Sequence, residues 1–168
     1  IDDFRNFFKP NKEKSEFSLK QSLDDTLSIL SASFKSHDIS VHLDLGEDII
    51  AYGFPNEYSQ VLLNILSNAK DAIQANRVAN GEIHIHLSRH GRHASISVSD
   101  NAGGIPADIL PKIFDPYFTT KEKGTGIGLY MSKMIIEDSM DGKVTARNFN
   151  GGAEFTVICP VAETRGNL

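Results

Sequence analysis

Apolar residues recur along the chain with two periods, and the switches between them lay out the elements. After a short apolar run at residues 17–19 that predicts a strand, Leu23, Leu27 and Leu30, with Ile29 and Phe34, follow helical spacing. Residues 40–45 alternate, with Val41, Leu43 and Leu45 set against His42 and Asp44, and residues 49–52 predict a strand beside them. Pro55 is suited to the first turn of a long helix, expected to reach residue 78. Residues 82–88 and 94–99 alternate cleanly around Arg89, His90, Gly91 and Arg92, the pattern of a β-hairpin. A stretch rich in Gly, Pro and Lys follows at 101–125, with one short helical piece at 107–113. A helix over 126–139 and strands at 143–148 and 153–159 complete the pattern. Mixed helices and strands with antiparallel pairs predict an α+β fold in two layers, a mixed but mostly antiparallel sheet covered by helices.

On the long helix, Glu57, Gln60, Asn64, Asn68 and Asp71 fall in one narrow stripe beside an apolar arc of Val61, Leu62, Ile65, Leu66, Ala69, Ala72 and Ile73. The arc is core. Asparagine is a mediocre helix former, so the stripe asks for a reason. An amide oxygen is a neutral hard ligand of the kind Mg²⁺ accepts beside phosphate oxygens, while a solvated polar face would show the same pattern. Asp100 ends a strand and precedes Asn101, Ala102, Gly103, Gly104 and Ile105. A carboxylate there can accept from an exocyclic amine, which favours adenine over guanine, and the glycines let backbone approach a flat ring.

Gly124, Thr125, Gly126, Ile127, Gly128 and Leu129 open a helix, where free N–H groups and the positive helix end can hold phosphate. This is not a dinucleotide fingerprint, because Leu129 stands where a third glycine is needed. Nor is there a P-loop: the one Gly-Lys pair, Gly142-Lys143, is followed by Val144. Lys121 and Lys123 can add charge to the phosphate site, and Phe114, Tyr117 and Phe118 can clamp a lid over it.

A formal charge of -5 over 168 residues, with no basic block, argues against nucleic acid as the partner. Cys159 is the only cysteine, which excludes an intrachain disulfide and a thiolate zinc cluster. Its apolar setting reads as the end of a buried strand. No apolar run approaches the length that spans a bilayer, and a reducing compartment is expected. His84 and His86 share a strand face with His90 or His93 nearby, which is either a metal site or a set of exposed hairpin histidines. Ile1, Phe4, Phe7 and Phe8 follow helical spacing as far as Pro10, the pattern of either the tail of a longer helix or a helix packed on its own domain.

In this order the pieces resemble the catalytic, ATP-binding domain of bacterial sensor histidine kinases, within the gyrase, Hsp90, histidine kinase and MutL superfamily. The N box lies at residues 60–69, the G1 box at 100–104, the F box at 113–121 and the G2 box at 124–129; residues 151–156 are similar to the final strand motif. The resemblance implies a layered α/β sandwich of the Bergerat type with a flexible ATP lid. It implies that Asn68 coordinates Mg²⁺, Asn64 supports the phosphates, and Asp100 reads adenine. Gly124, Gly126 and Gly128 would bind phosphate through the backbone, and Thr156 would help hold adenine. Asp71, Gly104, Ile105, Lys121, Thr125, Ile127 and Leu129 fall within or beside the same motifs as nucleotide-binding candidates. Two departures stand out: Ala102 replaces a frequent glycine, and Asn64 stands where hydrolysing relatives carry a glutamate, which favours transfer over hydrolysis.

The expected function is transfer of the ATP γ-phosphoryl group to a histidine on a helical dimerisation domain of the same protein, with a response-regulator receiver domain downstream. None of the six histidines has the acceptor's setting on a helix, beside an acidic residue and ahead of a proline, so the chain is expected to bind ATP without phosphorylating itself. Residues 1–15 are read as a junction from that helical domain, 16–162 as the catalytic domain and 163–168 as a tail. The full protein is expected to be a homodimer with this domain in the cytoplasm, either free or anchored in the inner membrane. A nucleotide-gated interaction module and an ATPase of the same superfamily are the other readings.

Overall fold

A computed structural model describes residues 13–120 and 126–162; the apolar stripe from Ile1 to Phe8 and the expected tail lie outside the described residues. Strand β1 (Ser15–Ser18) leads directly into helix α1 (Leu19–Ser36). Ser18 caps the helix by accepting from Gln21 N at 3.1 Å and donates its own hydroxyl to Asp48 Oδ2 at 2.6 Å. Strands β2 (Ser40–Asp44) and β3 (Ile50–Gly53) follow, then helix α2 (Pro55–Ala75) with Pro55 in its first turn. This helix ends three residues before the expected position. Arg77 takes a φ of 53° and Val78 N turns back to Ile73 O at 3.1 Å, closing off the ladder.

Strands β4 (Glu82–His90) and β5 (His93–Asp100) form the expected hairpin across a tight turn. The expected helical piece in the long loop is reduced to a 3₁₀ turn, Leu110–Lys112, between prolines 106 and 116. Helix α3 (Gly128–Met134) widens into a π-helical turn at Ile135–Ser139, and strands β6 (Lys143–Phe149) and β7 (Gly152–Pro160) close the fold.

The main sheet runs β2-β4-β5-β7-β6, parallel between β2 and β4 and antiparallel elsewhere. Residues 49–52 were expected beside β2, but β3 instead pairs antiparallel with β1 in a separate two-stranded sheet. The alternation shows that both strands exist, but β2 pairs in parallel with β4 after the crossover through α2 and stands at the edge of the main sheet.

One face of the sheet packs on the helices. Leu19 and Leu23 of α1, Leu62, Ile65 and Leu66 of α2, and Ile83, Ile85 and Ile96 of the hairpin are essentially fully buried. The opposite face carries the alternating polar residues of β4 and β5, so the molecule is two layers deep. No helix among the described residues is long and apolar enough to cross a membrane.

Candidate nucleotide site

A cavity of about 1110 Å³ opens between α2, the loop after β5 and the start of α3. Asn64, Asn68 and Asp71 line one wall, as their helical spacing demands. Asp100, Gly104 and Ile105 form the far end, and Gly126, Gly128 and Leu129 lie across from them. Residues far apart in sequence therefore meet around one space.

Asp100 is only 8% exposed. Its Oδ1 accepts from Ala102 N at 3.0 Å and from Ala153 N at 3.2 Å, which leaves Oδ2 as the oxygen available to a ligand. Ala153 reaches it because residue 152 is glycine: a Cβ there would overlap the Asp100 backbone carbonyl and lie 2.9 Å from Oδ1. Burial pushes the Asp100 carboxyl above the ordinary carboxylate range, and the two N–H donors pull it part of the way back.

Three asparagines outside the expected set hold the loop that follows. Asn148 of β6 clamps Ile105 from both sides, accepting from its N–H at 2.7 Å and donating to its carbonyl at 2.8 Å. Asn76, at the C-cap of α2, donates to Ala102 O at 2.6 Å. Asn101 accepts from Glu82 N at 2.8 Å and donates to Asn80 O at 2.9 Å, tying the loop to the start of β4. Asn76 carries a readable signal, an asparagine just past the last periodic helix position. Asn148 lies 43 residues from its partner and carries none.

At the other end, Asn64 donates to Ser132 Oγ at 3.2 Å and to Gly128 O at 3.4 Å, while the buried Ser132 hydroxyl donates to Gly128 O at 2.9 Å. These bonds fix α3 against α2. They engage Asn64 through its amide nitrogen. Gly126 has φ +73° and accepts from Tyr117 N at 2.9 Å; a Cβ there would overlap the Tyr117 carbonyl carbon and lie 2.7 Å from Phe118 N. Only glycine fits at that crossing. Phe114 packs edge-on against Phe155 at 6.2 Å and Phe118 lines the cavity, whereas Tyr117 is 77% exposed.

Two expected positions miss the cavity. Thr156 lies on the other face of β7, with its hydroxyl 3.3 Å from Ser97 Oγ, and the cavity is lined instead by Ala153 and Phe155. A one-residue step along a strand reverses the face, which sequence alone did not resolve here. Ile127 precedes α3 without lining the space. Lys121, Lys123, Gly124 and Thr125, with the middle of the expected lid, lie outside the described residues.

Residues 53–163 match the family described as histidine kinase-, DNA gyrase B- and HSP90-like ATPase. The chain is 35% identical to sporulation kinase E of Bacillus subtilis (strain 168) over 153 residues, 88% of this chain and 20% of that protein. It superposes on the catalytic domain of histidine kinase ThkA with a TM-score of 0.81 at 30% identity, covering 88% of this chain and 95% of the other. The same kinase solved with the response regulator TrrA gives a TM-score of 0.73 at 27% identity, covering 89% of this chain and 42% of that one. The chain spans only part of such relatives, 20% of sporulation kinase E and 16% of the two-component sensor PprA of Pseudomonas aeruginosa. By its four ordered motifs, its two-layer fold and these likenesses, the chain belongs to the histidine kinase-, DNA gyrase B- and HSP90-like ATPase family, as a histidine kinase catalytic domain.

Proposed function

We propose that this domain binds Mg-ATP and transfers the γ-phosphoryl group to a histidine on a separate helical domain of a longer sensor kinase, the first step of two-component signalling. The observation that carries this reading is the convergence of Asn64, Asn68, Asp100, Gly126 and Gly128 on one cavity. Asp100 Oδ2 accepts from the adenine exocyclic amine; guanine would bring a carbonyl against the carboxylate. The first-turn N–H groups of α3 have no intrahelical acceptor and face the phosphates.

The donor set suits magnesium, with amide oxygens of the asparagine stripe and the Asp71 carboxylate on one wall of the cavity. Asn68 is the residue we assign to it, with Asn64 supporting the phosphates. When bound, Mg²⁺ neutralises charge on the phosphate oxygens. Asn64 also holds the start of α3 in place, so the phosphate-binding backbone is set before the nucleotide arrives.

In the transfer, an imidazole nitrogen of the acceptor bonds to the γ-phosphorus as the bond to the β–γ bridging oxygen breaks and ADP leaves. Such a step needs positioning more than a strong base, and no side chain here is asked to act as one. The histidines of this chain do not offer the acceptor: His37 caps the end of α1, and His42, His84, His86, His90 and His93 lie on strands. The likeness to ThkA in its complex with TrrA supports a response regulator as the next recipient. We place the domain in the cytoplasm, as part of a homodimer formed through the helical domain.

Incubation with γ-labelled ATP and Mg²⁺, with and without a separately supplied acceptor domain, tests the proposal. Acid-labile label should appear on the acceptor only. Label retained by this chain alone, or phosphate released without any acceptor, would contradict it.

A further inference from the structure

The face of the sheet turned away from the helices carries a cluster that nucleotide binding does not use. Parallel register sets His42 of β2 opposite His84 of β4, and Asp44 opposite His86. Glu82 shares the face of His84, two residues before it. The His42 and His84 rings stack with centroids 4.5 Å apart and planes 14° from parallel. His42 Nε2 lies 3.0 Å from Glu82 Oε1, and one ligand atom from each of His42, Glu82 and His84 falls within 4.8 Å of the others. The sequence pairs His84 with His86, but His86 is held by Asp44, Nδ1 to Oδ2 at 2.9 Å.

We propose that His42, Glu82 and His84 form a binding site for a divalent transition metal, with Zn²⁺ the ion their chemistry fits. Two imidazoles and a carboxylate are a zinc donor set, whereas Mg²⁺ and Ca²⁺ prefer oxygen alone. Tetrahedral ligands about 2.1 Å from zinc stand about 3.4 Å from one another, close to the present His42–Glu82 spacing, and because an imidazole lone pair lies in its ring plane the two exposed rings must turn out of their stack to share one ion. The backbone beneath is already fixed by the β2–β4 ladder and by the bond from Glu82 N to Asn101 at 2.8 Å. A surface depression of about 770 Å³ adjoins the cluster and leaves room for a metal-bound water as fourth ligand. The Asp44 carboxylate on the next rung adds favourable charge.

Within the main sheet β2 is an edge strand bonded to β4 alone. A metal bridging His42 to Glu82 and His84 cross-links that edge, so zinc raises the stability of the fold by mass action. The site lies on the sheet face opposite the helices that bound the nucleotide cavity, and it operates without nucleotide.

The test is zinc titration of the chelator-treated, nucleotide-free chain, followed by calorimetry and by thermal melting. One zinc per chain, a higher melting temperature reversed by EDTA, and no such effect from Mg²⁺ are expected. His42→Ala and His84→Ala should each weaken binding by more than about tenfold, beyond what changes in an outer shell cause. Imidazole proton resonances of the unaltered chain give a readout that needs no variant: those of His42 and His84 should shift before those of His37, His90 and His93. Absence of uptake at millimolar zinc, unchanged uptake in the double variant, or first shifts at the other histidines would each overturn the proposal.

Discussion

Asp100 is a carboxyl held almost out of water with both its backbone donors on one oxygen. Burial raises its affinity for a proton in the fold, and this has two consequences of opposite sign. Its contribution to stability is full below the unfolded carboxylate value of about 3.9 and is lost as pH rises through the raised folded value. The adenine recognition proposed for Asp100 needs the ionised acceptor, so nucleotide affinity should climb over the same rise in pH. Asp100→Asn keeps the Oδ1 acceptor for Ala102 and Ala153 and should flatten both trends. Chemical denaturation and nucleotide titration across pH, variant against wild type, check this; parallel profiles for the two proteins would contradict it. At this scale the sequence was readable wherever one element carried the pattern. Asn64, Asn68 and Asp71 needed only the 3.6-residue period, and Asp100 only its place at a strand end. The side of β7 that carries Thr156 is not legible in the same way, because it depends on which face of the strand turns toward the helices.

At the scale of elements, the turn after β5 is positioned less by its own glycines than by its neighbours. Asn148 reaches across from β6 and holds Ile105 by both backbone groups. Asn148→Ala should lower stability by about 0.5–1.5 kcal/mol, since both bonds are near solvent and water can replace part of each. ATP affinity should fall more than that exposure alone implies, by roughly threefold to tenfold or about 0.7–1.4 kcal/mol, because the loop carrying Asp100 and Gly104 loses its clamp. Denaturant midpoints and calorimetric titration of the same variant separate the two effects; a stability loss with unchanged affinity would show that Asn148 only braces the sheet. Such a clamp could not be read from the chain, because it joins residues 43 positions apart with no shared period. The existence of the elements could. Their ends were less legible where local geometry decided, as at Arg77, whose positive φ stops α2 short of residue 78, and at Ile135, where α3 widens instead of continuing.

For the whole molecule, the layout follows from burial more than from strand pairing. The alternating runs of β4 and β5 announce one apolar and one polar face, and the long helix with its apolar arc must cover the first. Which strand bonds to which is harder to read, since alternation alone does not distinguish β3 beside β2 from β3 beside β1, where it lies. The result places an asparagine-lined helix, an acidic turn and a glycine crossing around one cavity on the helical side of the sheet. From this layout follows the adenine-selective nucleotide binding proposed for Asp100. The most direct measurement is calorimetric titration with ATP and with GTP, each with Mg²⁺, of the wild-type chain and of Asp100→Asn. ATP should bind the wild type and GTP should not. The variant should lose about 1.5–3 kcal/mol of ATP affinity, the worth of a hydrogen bond to a charged group, while melting at or above the wild-type temperature. Equal binding of the two nucleotides, or full ATP affinity in a folded Asp100→Asn, would contradict the account.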